Sequence, residues 1–246
     1  MQHIVKIILG LTVTWLSVMA LNIHAENSTT LRVAVASNFL TTARTIAQQF
    51  QQETGIKVLL SSASSGKIST QIAAGAPYDL FLSADMARPQ RAIERGYALP
   101  DSLATYASGR LVLVSKQPLG KSLDFSNQRL AIANPKVSPY GLAAQQWLTK
   151  ESHSATLILG ENINQVWHFF QVSAVSNAIV AASQLARASE QPLHYRELDS
   201  NPMILAQGLV ILSRTKHLAA AKQFRTFILS DTIQAQIVAS GYQRLN

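Results

Sequence analysis

The chain has 246 residues, of which 48% are hydrophobic and 14% charged, with a formal net charge of +8. That balance describes a globular chain able to bury one large core or two smaller ones, and it excludes a disordered one. There is no cysteine, which excludes disulfides, thiolate metal sites, a cysteine nucleophile and lipid attachment through an N-terminal cysteine. A basic balance suits an anionic partner by steering. The basic residues are scattered, however, with no basic run interleaved with aromatics, so nucleic acid is not an expected partner.

Residues 1–25 read as a secretory signal. Lys6 supplies the positive start, Ile7 to Leu21 is an apolar run, and Ile23-His24-Ala25 offers a small residue for cleavage after Ala25. The run falls short of the roughly 20 residues that span a bilayer. Cleavage removes Lys6 as the one charged residue of the segment, taking the formal charge from +8 to +7. The expected mature protein is soluble in the periplasm.

Leu31 to Val35 is a short strand. Phe39, Ala43, Ile46 and Phe50 then recur at helical spacing up to Thr54-Gly55. Lys57 to Leu60 is a second strand, followed by the serine-rich stretch SSASSGKIST over residues 61–70. Ile68 and Ile72 predict a helix that stops near Gly75-Ala76-Pro77, and Asp79 to Leu82 is a third strand. This alternation points to a parallel sheet covered on both faces. Further strands are predicted at Leu111–Val114, Arg129–Ala133, Ala178–Ala181 and Leu209–Leu212. A helix from Tyr140-Gly141 through Trp147 and one carrying Ile163, Val166 and Phe170 lie among them. Two closing helices cover about 216–229 and 232–239, with Asp231 as the cap of the second. Without a long linker, the expected architecture is two α/β lobes bridged by two crossing strands, with a ligand cleft between them. The crossings are expected at Ser108–Leu111 and Leu209–Ser213, making lobe 1 residues 26–109 plus 213–246 and lobe 2 residues 110–212.

Two chemistries compete for the serine stretch. Ser64-Ser65-Gly66-Lys67 has the Ser-x-x-Lys spacing of a serine nucleophile with its lysine base. The Ser-Asp-Asn and Lys-Thr-Gly partners of that motif are missing from the chain, and so are a Gly-x-Ser-x-Gly elbow and a His-Glu-x-x-His site. Gly66-Lys67 matches only the end of a Walker loop, with Ile68 where Ser or Thr is needed. His153, His168, His194 and His217 are widely spaced and fall in no catalytic motif. The alternative is anion binding. The serines lie where a parallel strand meets a helix start, a place of unpaired N–H groups and positive dipole. The turn after the first strand, Ala36-Ser37-Asn38-Phe39, has the same character, and both would face one crevice at the carboxyl ends of the strands. Taken singly, Asn38 and Ser65 read as ordinary helix caps.

Over Leu31 to Gly241 the chain resembles the periplasmic molybdate-binding proteins that feed ABC transporters. The resemblance rests on VAVASNF, SSASSGKISTQIAAGAPYDLFLSAD, ANPKVSPYG and GENINQVWHFF. It implies a type II periplasmic-binding-protein fold that is not an enzyme, with no cofactor and no cation-ligating site. The protein would be a monomer that closes on molybdate or tungstate and passes the anion to an ABC permease. Carried over by motif, the contacts fall on Ser37, Asn38, Ser64 and Ser65 in the first lobe, and on Tyr140 and Ile163 in the second. Asp85, closing the Gln71-to-Asp85 block, takes a structural or hinge role. The chain departs from its relatives in the turn Ser173–Asn177, which lacks glycine, and at Ala181, where some relatives place a tyrosine. Tyr140 stands in for that tyrosine. Lys67 is unusual so near the site, either as a solvated helix residue or as a charge that attracts the anion. Sulfate, another oxyanion or a small organic anion is the alternative ligand, and a hydrolase using Ser64 and Lys67 the alternative class. A third possibility is an interaction module that has lost its ligand.

Overall fold

The computed structural model describes residues 29–151, 154–186, 193–199 and 205–244. The expected signal and His153 lie outside them. The chain runs β1 (Thr30–Ala36), α1 (Leu40–Thr54), β2 (Lys57–Ala63), α2 (Ser65–Ala73), β3 (Leu80–Leu82), α3 (Ala87–Glu94) and β4 (Ala104–Ser108). It continues with β5 (Leu111–Ser115), β6 (Arg129–Ala133), α4 (Pro139–Lys150), β7 (Thr156–Gly160), α5 (Ile163–Gln171), β8 (Asn177–Ala181), α6 (Ala182–Leu185) and β9 (His194–Glu197). It closes with β10 (Ala206–Ile211), α7 (Leu218–Leu229) and α8 (Asp231–Ala239).

Two five-stranded sheets result, ordered β2-β1-β3-β10-β4 and β7-β6-β8-β5-β9. Strands β1, β2 and β3 are parallel, as are β6, β7 and β8, while β10 runs antiparallel to both β3 and β4. Each sheet is therefore mixed rather than purely parallel. The central strands of the first sheet are apolar on both faces because helices cover both. Leu31, Val33 and Val35 of β1 pack with Phe39, Ile46 and Phe50 and with Phe224 of α7 and Ile237 of α8. Ala34, one residue out of phase, faces Ile68, Ile72 and Phe81 on the opposite side. Helix α1 ends where Gly55 adopts φ 72° and donates its N–H to the Gln51 carbonyl, a left-handed stop that glycine takes without steric penalty. In the second lobe, Leu111–Val114, Leu130–Ala133 and Ala178–Ala181 pack with Trp147 of α4 and Val166 and Phe170 of α5.

Three features differ from the sequence expectation. Strand β10, expected to lie in lobe 2 as far as residue 212, is hydrogen-bonded between β3 and β4 in the first sheet. Its six residues are all buried, so its composition suits the centre of either sheet and only pairing decides. The return crossing therefore falls before Ala206: Leu205 packs in the second-lobe core, and its carbonyl accepts from Gly109 in the outgoing crossing (2.9 Å). Asp231 is the first residue of α8 rather than its cap, the cap position being Ser230, and its carboxylate accepts from Arg244. Helices α3 and α6 and strands β4, β7 and β9 have no counterpart among the elements expected from the sequence. Strand β7, for example, is an edge strand with Leu157 and Leu159 exposed.

Candidate functional site

The turns after β1 and β2 put the four first-lobe candidates in one buried patch. Ser37 and Asn38 form a single 3-10 turn with Phe39 between β1 and α1. Ser64 occupies the cap position of α2 in extended backbone, yet its hydroxyl bonds none of the helix amides. That hydroxyl is buried without a hydrogen-bond partner. Leaving such a group unpaired costs about 1–3 kcal/mol, so it is an unsatisfied donor at a helix N-terminus. Ser65 is fully enclosed, and its Oγ accepts from the Ala84 N–H (2.9 Å) in the loop after β3. The bond holds the first turn of α2 to that loop and leaves the hydroxyl proton to donate.

In the second lobe both candidates sit at helix starts. Ser138 caps α4 through the Gly141 N–H (3.4 Å), one residue beyond Tyr140. Asn162 caps α5 by accepting from the N–H groups of Asn164 (3.0 Å) and Gln165 (3.1 Å), and not from that of Ile163. The Ile163 carbonyl is held by Gln184 Nε2 (3.1 Å). The six candidates contribute hydroxyls, amides and the positive ends of helices, and no carboxylate. Such a set stabilises a fully deprotonated oxyanion without a buried cation.

Beneath these turns lies a buried neutral network that sequence reasoning missed. Gln207 Oε1 accepts from Asn38 Nδ2 (3.0 Å) and from the Tyr106 hydroxyl (2.9 Å), which also lies 3.1 Å from the Ser83 carbonyl. Gln207 Nε2 donates to the Tyr140 hydroxyl (3.3 Å), and the Tyr242 hydroxyl donates to the Asn38 carbonyl (2.7 Å). The side chain of Asn38 is thus turned inward rather than offered to the cleft. Its part is to hold the Ser37–Phe39 turn. Burial pushes the Tyr106 and Tyr140 phenols well above their ordinary value, with the neighbouring Tyr242 adding to it, so both remain neutral donors. Gly109 is required at this floor, because a Cβ there would lie 2.0 Å from the Tyr140 hydroxyl. The one available signal was a lone glutamine inside the apolar run AQGLVI.

The two lobes also meet at the mouth of the cleft. The Gly66 N–H donates to the Val137 carbonyl (2.9 Å), and Asn164 Nδ2 donates to the Ser37 carbonyl (2.8 Å). Lys67 pairs with Glu161 of the opposite lobe. Its ammonium is thus taken up in an exposed ion pair with the second lobe. Asp85 is structural, accepting from Ser83 Oγ (2.9 Å) and the Arg88 N–H (3.2 Å) while its carbonyl accepts from Gly208 (3.2 Å). Among the described residues there is no group of three or more His, Asp or Glu side chains able to hold a metal ion. No described helix is long and apolar enough to cross a membrane.

Two mixed α/β sheets on either side of a cleft, joined by crossings at Ser108–Leu111 and before Ala206, define a two-lobed binding protein of the type II periplasmic fold. Residues 31–243 match the family model described as bacterial extracellular solute-binding protein, and the chain belongs to that family. It is 35% identical over 225 residues to the molybdate-binding protein ModA of Rhodobacter capsulatus, covering 85% of this chain and 86% of that one. It is 37% identical over 171 residues to the molybdate-binding protein ModA of Azotobacter vinelandii, covering 65% of this chain and 68% of the other. The solved structure of the Azotobacter vinelandii periplasmic molybdate-binding protein superposes with a TM-score of 0.77 at 32% identity. It covers 88% of this chain and 100% of that one.

Proposed function

We propose that the protein captures molybdate in the periplasm and delivers it, as a monomer, to an ABC permease, with tungstate as a second ligand of the same charge and shape. The observation that carries this reading is the neutral donor set: two serine turns in one lobe facing two helix starts in the other, with no carboxylate among the six residues. A protonated phosphate would call for an acceptor there. The names of the relatives support molybdate in particular.

In this reading Ser37, Ser64 and Ser65 donate from the first lobe, and the N–H groups of Tyr140 and Ile163 from the second. The Tyr140 hydroxyl accepts from Gln207 (3.3 Å), so its own proton is directed elsewhere and serves the anion as well. No bond is made or broken; closure exchanges the water around the dianion for preorganised dipoles.

The test is a thermal-shift and calorimetry panel of molybdate, tungstate, sulfate, phosphate and chromate on the mature protein. Molybdate and tungstate alone should stabilise it. Stabilisation by sulfate or phosphate alone overturns the molybdate assignment, and silence with every anion overturns oxyanion binding altogether. A Ser64→Ala, Ser65→Ala double variant should lose about a hundredfold or more in molybdate affinity, the scale of two charge-assisted hydrogen bonds.

A further inference from the structure

We propose that Gln207 is the positioning residue that couples the two halves of the oxyanion site, holding Asn38 of the first lobe and Tyr140 of the second through the two ends of one amide. The proposal rests on the oxyanion reading above.

Gln207 is fully buried in a strand whose other residues, Ala206 and Gly208 to Ile211, are apolar or glycine. An amide is costly there unless its donor and acceptor are both met. They are met by two candidate site residues, Asn38 on Oε1 and Tyr140 on Nε2, and by Tyr106 on Oε1. Asn38 and Tyr106 belong to the first lobe and Tyr140 to the second, so the amide spans the closed interface. The β10–β4 register shifts between Gln207 and Gly208, and a bulge of this kind re-aims a side chain. Gly109, in the other crossing, leaves the room. A Cβ there would stand 3.0 Å from Gln207 Nε2 as well as 2.0 Å from the Tyr140 hydroxyl.

The residue type follows from the chemistry. The contact with Asn38 and Tyr106 needs an acceptor and the contact with Tyr140 needs a donor. Lysine or arginine would supply only the donor and bring a buried cation. A carboxylate would supply only the acceptor and repel a dianion. An amide does both without charge, and by donating to Tyr140 it turns the phenol proton away from itself. The titratable groups around it are Tyr106, Tyr140 and Tyr242, and the charges acting on those phenols are Asp85 at Tyr106 and Arg110 at Tyr140.

Two variants test the proposal by molybdate calorimetry, with thermal unfolding of the ligand-free protein alongside. Gln207→Leu should bind about thirtyfold more weakly, the effect of losing one or two buried hydrogen bonds. Adding Tyr140→Phe to it should cost less than the same change costs in the wild type. Gln207→Glu keeps the shape, so it remains informative even where the leucine variant fails to fold. A glutamic acid buried here titrates far above its usual range, with values of about 8–9 known for such sites. Protonated, it donates to Tyr140 as the amide does; ionised, it cannot, and it repels the anion. Its affinity should therefore lie near wild type at about pH 6 and fall by more than about tenfold by about pH 9.5, while wild type changes little. A Gln207→Glu affinity that tracks wild type at both pH values, or a loss that is the same at both, overturns the coupling role. So does an unchanged affinity in a folded Gln207→Leu protein. A wild type that binds none of the oxyanions overturns the oxyanion reading and this proposal with it, whereas the variant results overturn the coupling role alone.

Discussion

Among the places where the lobes touch, the cleft mouth and the hinge floor are built from opposite materials. At the mouth, backbone meets backbone at Gly66 and Val137, and the charged pair Lys67–Glu161 stands 51% and 56% exposed. At the floor, Asn38, Tyr106, Tyr140 and Gln207 are buried, uncharged and hydrogen-bonded to one another. The difference teaches where charge is tolerated around a dianion. An exposed ion pair is screened by water and salt, contributes about 0.2–1 kcal/mol and leaves the site's potential almost untouched. A charge at the floor would act at low dielectric and dominate binding.

The largest effect is expected at the floor. Gly109→Val places side-chain atoms where the Tyr140 hydroxyl lies, and should lower molybdate affinity by about a hundredfold or more. Calorimetry returning a value close to wild type would break the claim that the floor sets affinity. Gly66→Ala should do less. Its Cβ would meet the Val137 carbonyl at 2.8 Å, holding the mouth open by tenths of an ångström. About a tenfold loss is expected, together with a weaker contraction on adding ligand in small-angle scattering.

The floor also predicts an alkaline limit. The Tyr106 and Tyr140 phenols are raised in the folded protein. The stability they contribute is therefore complete below the unfolded value of about 10, and is lost as pH rises from there towards their folded values. Denaturant titrations of wild type and Tyr106→Phe should show a shallower alkaline decline in the variant, and identical slopes would remove the buried-phenol explanation. The smallest effect belongs to the mouth. Lys67→Ala should speed molybdate release by no more than about fivefold and reduce the salt dependence of that rate. Exchanging the charges, with Lys67→Glu and Glu161→Lys together, should restore wild-type release. A release rate in Lys67→Ala that keeps the full salt dependence would place the salt-sensitive contact elsewhere.

Most of the first lobe was legible because its signals are local. Phe39, Ala43, Ile46 and Phe50 mark α1 by spacing alone, and Gly55 marks its end. The six candidate site residues come from two strand-to-helix turns and the resemblance they carry, and all six are buried in the structure. The assignment of Asn38 was less complete, because the inward turn of its amide depends on Gln207, which lies 169 residues away. Strand β4 escaped for a related reason: its one large apolar residue, Tyr106, is held by the hinge network rather than by a repeating pattern.

By itself the sequence determined the α/β alternation, the neutral donor chemistry of the two serine turns and the family. These follow from periodicity, helix-start chemistry and motif, which act over a few residues. Tertiary structure alone decided which sheet takes β10, where Lys67 finds its counter-charge, and that Gln207 reaches both halves of the site. Those outcomes depend on pairings between residues far apart in the chain, 94 positions for Lys67–Glu161 and 169 for Asn38–Gln207, and composition is indifferent to them. SSASSGKIST, residues 61–70, shows the division: its serines identify a helix start from sequence, and its lysine finds its partner, Glu161, only in the second lobe.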